Sequence, residues 1–306
     1  MSATGERRLS RWAGYSILLV GILSISTGSI LARLANAPAL TVGVWRVMLA
    51  TVLLTPWALP AARREWPQLE RRDWLHILLS GTALALHFST WITSLEMTTV
   101  ASSVLLVQTN PIWVGLVTHF LLGERASRRT ALAIGLAVIG AAVLSYGDIE
   151  LSQRALYGDL LALVGALGGS AYLLFARSVR RKLSTIAFVW PCYGTCGILL
   201  ILLALITGQP LVGYPAQSML VFVALAIFPQ ILGHSSFNMA LGYFSPIFVT
   251  LALLFEPLGA GLLAWLILSE VPQPTAVLGG LLIMIGVYIA AREEQRPPHT
   301  QGDEAS

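Results

Sequence analysis

The chain alternates between apolar runs of about twenty residues and short polar turns. As helix, a run of that length crosses the roughly 30 Å hydrocarbon core of a bilayer. Ten runs stand out: Trp12–Ala32, Leu40–Leu59, Trp74–Leu95, Ala101–Leu122, Thr130–Tyr146, Leu156–Arg177, Thr185–Ile206, Met219–Asn238, Pro246–Leu268 and Thr275–Ala291. None has the polar face that a helix in water keeps toward solvent. The pattern predicts an all-α polytopic membrane protein of ten transmembrane helices. Residues 1–11 are left as a polar N-terminal segment and 292–306 as a charged, proline-containing tail, read as disordered.

The pattern occurs twice. Laying the stretch from Val100 on the stretch from Pro246 places Pro111 on Pro257, Glu124 on Glu270, Ile139 on Ile285 and Gly140 on Gly286, at one constant offset. Each copy is an apolar run broken near its middle by proline, then a carboxylate, a polar turn and a second apolar run. The match continues upstream. Trp91 meets Phe237, Leu95 meets Leu241, and His87 and His234 correspond within one residue. Ala32-Arg33 meets Ala176-Arg177 and Thr41 meets Thr185 at a slightly shorter offset. Two five-helix repeats follow, 12–150 and 151–291. Five is odd, so the second repeat enters the membrane from the opposite side and the two are inverted. Inverted repeats imply a pseudo-two-fold axis in the membrane plane and a solute site near the midplane, an architecture of transporters.

Composition supports the membrane reading. Of 306 residues, 56% are apolar and 11% charged, and soluble chains carry roughly twice that charge. The net charge of +4 does not point to nucleic acid, because the basic residues lie in the turns. With the N-terminus inside, sixteen Lys and Arg fall on inner segments against two, Arg33 and Arg154, on outer ones. That bias places both termini in the cytoplasm. Ala35-Asn36-Ala37 resembles a cleavage site, but the apolar run before it is too long for a signal peptide and has a partner in the second repeat. Cys192 and Cys196 share a helix face with no His or carboxylate beside them, and read as small buried hydrophobes. No phosphate loop, metal-ligand cluster or Gly-x-Ser-x-Gly occurs, so neither an enzyme, a cofactor nor ATP-driven transport by this chain alone is expected.

Polar groups inside a span are costly and face the bundle interior or a water-filled cavity. Glu256, beside Pro257, either binds an ammonium group or takes up a proton, or else packs the halves together. Its counterpart is the uncharged Asn110, beside Pro111; one half-site then favours a cation and the other a neutral dipole, as a zwitterion requires. Pro111 and Pro257 are candidate hinges. His87 and His234 either bind solute and relay protons or bridge helices, and Gln108 and Asn238 divide in the same way. Tyr172 and Trp91 are aromatic walls or core packing. Ser24, Ser26 and Thr27 in the first span, and the Gly165–Ser170 stretch in the sixth, either approach solute or pack helices closely. Arg46, about six residues into the second span, captures a carboxylate or snorkels to the outer interface. Asp159 reads as an N-cap, and Glu124 and Glu270 as structural or gating residues at the membrane surfaces.

The run from Leu95 through Thr98-Thr99-Val100-Ala101-Ser102 to Pro111, Gly123-Glu124-Arg125 and Gly140 resembles the drug/metabolite transporter superfamily, in its ten-span EamA branch. Its second copy runs from Ala240-Leu241 through Ser245-Pro246 to Pro257, Ser269-Glu270 and Gly286. Within that branch, the Asn-Pro of the fourth span and the His-x-x-Phe-Asn of the eighth are similar to bacterial aromatic amino acid exporters. Ile25 and Gly169 stand where those proteins often have tryptophan, which suits a roomier cavity. The resemblance implies a multi-pass protein of the bacterial inner membrane. It implies export of amino acids, aromatic and other neutral ones, by alternating access, with drugs or another small metabolite as the alternative cargo. A membrane receptor or enzyme is the reading outside that class. The expected partners are the solute and the lipid bilayer; the number of copies is left open, a monomer among them.

Overall fold

The computed structural model describes residues 11–98, 100–120, 127–145, 153–269 and 274–294. Among these there is helix and turn but no strand. The helices form ten spans made of two five-helix repeats. The second span is Ala39–Glu65, the third Arg71–Ser94, the fifth Arg128–Ser145, the sixth Gln153–Arg180, the seventh Thr185–Ile206 and the tenth Pro274–Glu294. The first is split into Arg11–Ile25 and Gly28–Leu34, the fourth into Val100–Val107 and Asn110–Phe120, and the ninth into Pro246–Leu253 and Glu256–Leu268. The eighth runs as α-helix over Ala216–Leu225, as π-helix over Ala226–His234, and as α-helix again over Ser235–Ala240. Among the described residues, seven of the spans are long and apolar enough to cross a membrane by length and composition alone, and a shorter apolar helix covers Val277–Gly286.

The packing follows the repeat. The third span lies along the sixth, and its counterpart the eighth lies along the first. The second packs on the seventh and the fifth on the tenth, each against its own counterpart. The fifth–tenth contact is backbone on backbone: a Cβ on Gly140 would stand 2.7 Å from the Gly279 carbonyl oxygen, and one on Gly286 2.8 Å from that of Ala133. In lipid, small residues allow this approach where no hydrophobic force drives helices together.

Lipid offers no hydrogen bonds, so polar groups must be satisfied within the bundle. Threonines do this on their own helices. Thr51 donates to Val47 O at 2.9 Å, Thr55 to Thr51 O at 2.9 Å and Thr90 to Leu86 O at 2.7 Å. Leu19, Leu23, Val52, Leu202 and Leu266 stay exposed, the side chains that acyl tails would cover. Trp12, Tyr157 and Tyr288 are exposed toward the span ends, where amphipathic rings sit at headgroup level.

The turns tie the halves. At one face, Glu65 accepts from the Ser184 amide at 2.7 Å, and Lys182 pairs with Asp73 at 2.9 Å. The hydrogen bond to Asp73 holds the Lys182 ammonium above its ordinary pKa. At the other face, Glu96 caps the second span by accepting from Ala39 N at 2.7 Å, and Thr41 donates to Pro210 O at 2.7 Å.

Some boundaries differ from expectation. The second span continues through Pro56 and Pro60 to Glu65 and carries Arg63 and Arg64 in its last turn. Asp159 is no N-cap: the sixth helix begins at Gln153, a turn and more before it. Glu124, Glu270, Thr99 and the turn 146–152 lie outside the described residues.

Candidate functional site

Four spans are interrupted, and the interruptions meet. The first opens at Ser26-Thr27, the fourth at Gln108-Thr109, the ninth at Leu254-Phe255, and the eighth at its π-helix. A cavity of about 40 Å³ lies among them, walled also by the third and sixth spans. Its wall is mostly repeat-related pairs: Asn110 with Glu256, Val107 with Leu253, Trp91 with Phe237, Ile25 with Gly169, and His87 with His234. The cavity therefore sits where exchanging the two halves maps it onto itself.

Local chemistry explains the breaks. Proline lacks an N–H and clashes with the carbonyl four residues back, so the preceding helix ends. At the second position of a new helix the missing N–H costs nothing, because that donor has no intrahelical partner. Pro111 and Pro257 hold that position in the half-helices that begin at Asn110 and Glu256. The break expected at each proline is thus a helix restart, with the prolines just past it. Each new helix starts at the cavity, where its positive dipole end favours acceptors and anions.

Gln108 Nε2 donates to Glu256 Oε2 at 2.5 Å. Both side chains are buried, at 3% and 4% exposure. Asn110 Oδ1 accepts from Ser170 Oγ at 3.1 Å. His87 Nδ1 lies 2.9 Å from Gly165 O; a carbonyl only accepts, so Nδ1 carries the proton and Nε2 is the acceptor. His87 stacks on Trp91 at 5.8 Å between ring centroids, and His234 stands edge-on to Phe88 at 5.2 Å. The two histidine rings are 6.0 Å apart. Tyr172 completes this side, 6.1 Å from His234.

Seven of the nine binding candidates therefore converge: Glu256, Asn110, Gln108, His87, His234, Tyr172 and Trp91. Two do not line the cavity. Thr27 donates to Ser24 O at 2.7 Å and closes the break in the first span. Asn238 stands behind the wall, donating to His234 O at 2.8 Å and to the Tyr172 hydroxyl. The Gly165–Ser170 stretch divides as well: Gly168 abuts the third-span backbone, whereas Gly169 lines the cavity.

Arg46 does not snorkel. It is 1% exposed, and its guanidinium carbon lies 4.3 Å over the Phe88 ring and 5.9 Å from that of Trp91. Nε donates to Gln230 Oε1 at 2.7 Å and Nη2 to Pro229 O at 3.4 Å. The π-helix around Pro229 frees acceptors inside the bundle, so the cation finds partners without reaching the interface. Gln230 and Tyr193, whose hydroxyl lies 3.1 Å from Ser235 Oγ, belong to this polar layer. The signal for it in the sequence is Pro229-Gln230 within an apolar run.

A wider vestibule of about 900 Å³ opens at the face that carries Arg33, Glu96 and Arg154. Ile92 lines the vestibule and Trp91 lines the cavity. At the opposite face, around the repeat-related positions, Tyr15, Phe244 and Phe248 pack ring to ring. Arg180, the counterpart of Asn36, donates to Asn238 O at 3.0 Å, to Thr185 Oγ1 at 2.7 Å and to Leu183 O.

Comparison with known proteins adds the family. The model of the EamA-like transporter family matches residues 12–146 and again 156–292. An uncharacterized transporter of Archaeoglobus fulgidus is 26% identical over 94% of this chain and 98% of its own length. The inner membrane protein YtfF of Escherichia coli is 27% identical over 80% and 85%. A solved structure, described only as the crystal structure of a protein, superposes with a TM-score of 0.75 at 20% identity, over 94% of this chain and 99% of that one; it supports the fold alone. With both halves matched, this multi-pass chain belongs to the EamA-like transporter family and moves some small substrate across a membrane.

Proposed function

We propose that the protein exports amino acids, aromatic and other neutral ones, through the central cavity by alternating access. The observation that carries this reading is the contrast between the two half-helix starts, Glu256 and Asn110, on one cavity wall. Glu256 presents a carboxylate to an ammonium group. Gln108 donates its amide to Glu256, and its Oε1, buried and without a partner, adds an acceptor for the same group. Such acceptors in a low-dielectric site select a donor-rich cationic end.

In this reading the chain sits in a bacterial inner membrane with both termini in the cytoplasm, as the Lys and Arg bias requires. The repeats are inverted, the Arg33 vestibule faces outward and the Arg180 face is shut. On the measure by which one water needs about 10–15 Å³, a cavity of about 40 Å³ holds a few waters and no amino acid, so solute enters as the halves part. Restarted helices at Asn110 and Glu256 let each half pivot near its proline. Export of drugs or another small metabolite is the second reading; it draws on Ile25 and Gly169 on the wall, both smaller than the tryptophan that similar exporters have there.

The test is flux of labelled amino acids in liposomes containing purified protein, with and without an imposed pH gradient. Saturable flux is expected, lost or re-specified in Glu256→Gln while the folded yield holds. Zero flux across an amino acid panel, with flux of other small solutes, defeats the amino acid reading and supports the second one.

A further inference from the structure

We infer that the indole N–H of Trp91, backed by the charge of Arg46, is a subsite for an acidic group in the central cavity: the carboxylate of an amino acid or of another organic acid. It lies in the cavity proposed for transport and deepens that reading by giving the solute its second pole.

Two observations converge. Trp91 is 3% exposed, lines the cavity, and its Nε1 has no hydrogen-bond partner. An indole nitrogen only donates, and a buried donor without an acceptor destabilises the fold that holds it. The partner it lacks is an acceptor. Behind it stands Arg46, buried, with its guanidinium carbon 5.9 Å from the Trp91 ring. Its hydrogen bonds go to neutral oxygens, Gln230 Oε1 and Pro229 O. Among the described residues it makes no ion pair within 4 Å; the field of Glu256, on the cavity wall, reaches it, but a buried cation in contact with neutral oxygens alone is unfavourable. An anion beside Trp91 satisfies both groups at once. The Arg46 side chain is not on the cavity wall, so it acts through its field and is a positioning residue.

The rest of the cavity fits. Its other pole, Glu256 with the free Gln108 Oε1, offers acceptors and would repel a carboxylate. His87 turns its Nδ1 proton away, to Gly165 O. A solute with an ammonium group at one end and a carboxylate at the other has one orientation in such a field. The second repeat places Phe237 opposite Trp91, a ring with no N–H, so the symmetric frame has this donor on one side alone.

The experiment uses three probes that share a phenyl ring: 3-phenylpropionate, with an acid only; phenethylamine, with an amine only; and phenylalanine, with both. Each is titrated into purified full-length protein while its thermal stability is followed. Wild type should be stabilised saturably by the acid probe. Trp91→Phe keeps the ring and removes the N–H; it should weaken the acid probe about tenfold, the effect of one hydrogen bond to a charged group, and leave the amine probe unchanged. Arg46→Gln should weaken the acid probe as well, and Arg46→Lys should restore part of the loss, which a packing role alone would not give. If Arg46→Gln fails to fold, Trp91→Phe alone decides. An acid probe that does not stabilise wild type, or binds Trp91→Phe equally well, overturns the subsite. Binding of the acid probe without phenylalanine binding or flux would instead retire the amino acid reading and leave the subsite standing.

Discussion

The 2.5 Å hydrogen bond from Gln108 Nε2 to Glu256 Oε2 joins the break in the fourth span to the break in the ninth. It runs between counterpart helices of the two repeats, yet it is not symmetric: the position matching Gln108 is Leu254. One polar contact thus holds two discontinuous helices at the point where their backbones are least supported. Its partners are on opposite halves, so any motion that parts the halves at the cavity must break or stretch it.

Replacing Gln108 by Leu should therefore destabilise the protein. The substitution leaves a buried carboxyl oxygen of Glu256 without its donor, a loss of about 1–3 kcal/mol. Adding Glu256→Leu should recover much of that, because the stranded group is gone, and the pair should be strongly non-additive. Denaturation in detergent of the single and double variants measures the coupling; additive losses would mean that the contact carries no net stability.

Neighbouring glycines in the sixth span should behave oppositely. A Cβ on Gly168 would stand 2.8 Å from the His87 backbone nitrogen and 2.9 Å from Ala83 O. Backbone cannot yield cheaply, so Gly168→Ala should push the third and sixth spans apart and cost about 1–3 kcal/mol. A Cβ on Gly169 meets side-chain atoms, His87 Nδ1 at 3.1 Å and Asn110 Oδ1 at 3.2 Å. Gly169→Ala should melt close to wild type but narrow the accepted solutes. Melting curves beside a substrate panel separate the two outcomes.

Much of this was legible in the chain. Ten apolar runs and a constant offset between Pro111 and Pro257 were enough for the two-repeat helical architecture, because bilayer thickness and backbone satisfaction leave few alternatives. The repeat also led to the cavity: Asn110 with Glu256 and His87 with His234 are pairs first and wall residues second. What escaped was set by partners far away in sequence. Arg46 looked like an interfacial residue because its acceptors, Pro229 O and Gln230, come from a π-helix that periodicity does not announce. Thr27 looked like a wall residue because nothing local shows that its hydroxyl is spent on Ser24 O. Asp159 follows a glycine and looked like a cap, but the helix had already begun.

The fifth and tenth spans give a sharper packing test. Gly140 and Gly286 occupy equivalent places and each touches the partner's backbone. A leucine at either should separate the two helices and lower folded yield. The same change at Gly135, where a Cβ meets nothing within 4 Å, should be tolerated. Comparable yields for all three variants, scored by monodisperse elution, would contradict that interface.

The last expectation concerns the shut face. In the first repeat Asn36 borders the open vestibule; in the second its counterpart Arg180 is buried and bonded to Asn238 O, Leu183 O and Thr185 Oγ1. The sixth span ends at Arg180, the eighth carries Asn238, and the seventh begins at Thr185, so one side chain ties three spans around the place equivalent to the vestibule. Arg180→Ala removes the ties and leaves carbonyls that water can satisfy if that face opens. The variant should therefore expose this face more than it destabilises the fold. A cysteine placed at Thr185, which is 7% exposed in the shut form, reports it: maleimide should label it faster when Arg180 is alanine. The native Cys192 and Cys196 are buried and give a low background. Equal labelling rates with and without Arg180 would mean that the aromatic cluster of Tyr15, Phe244 and Phe248 closes this face unaided.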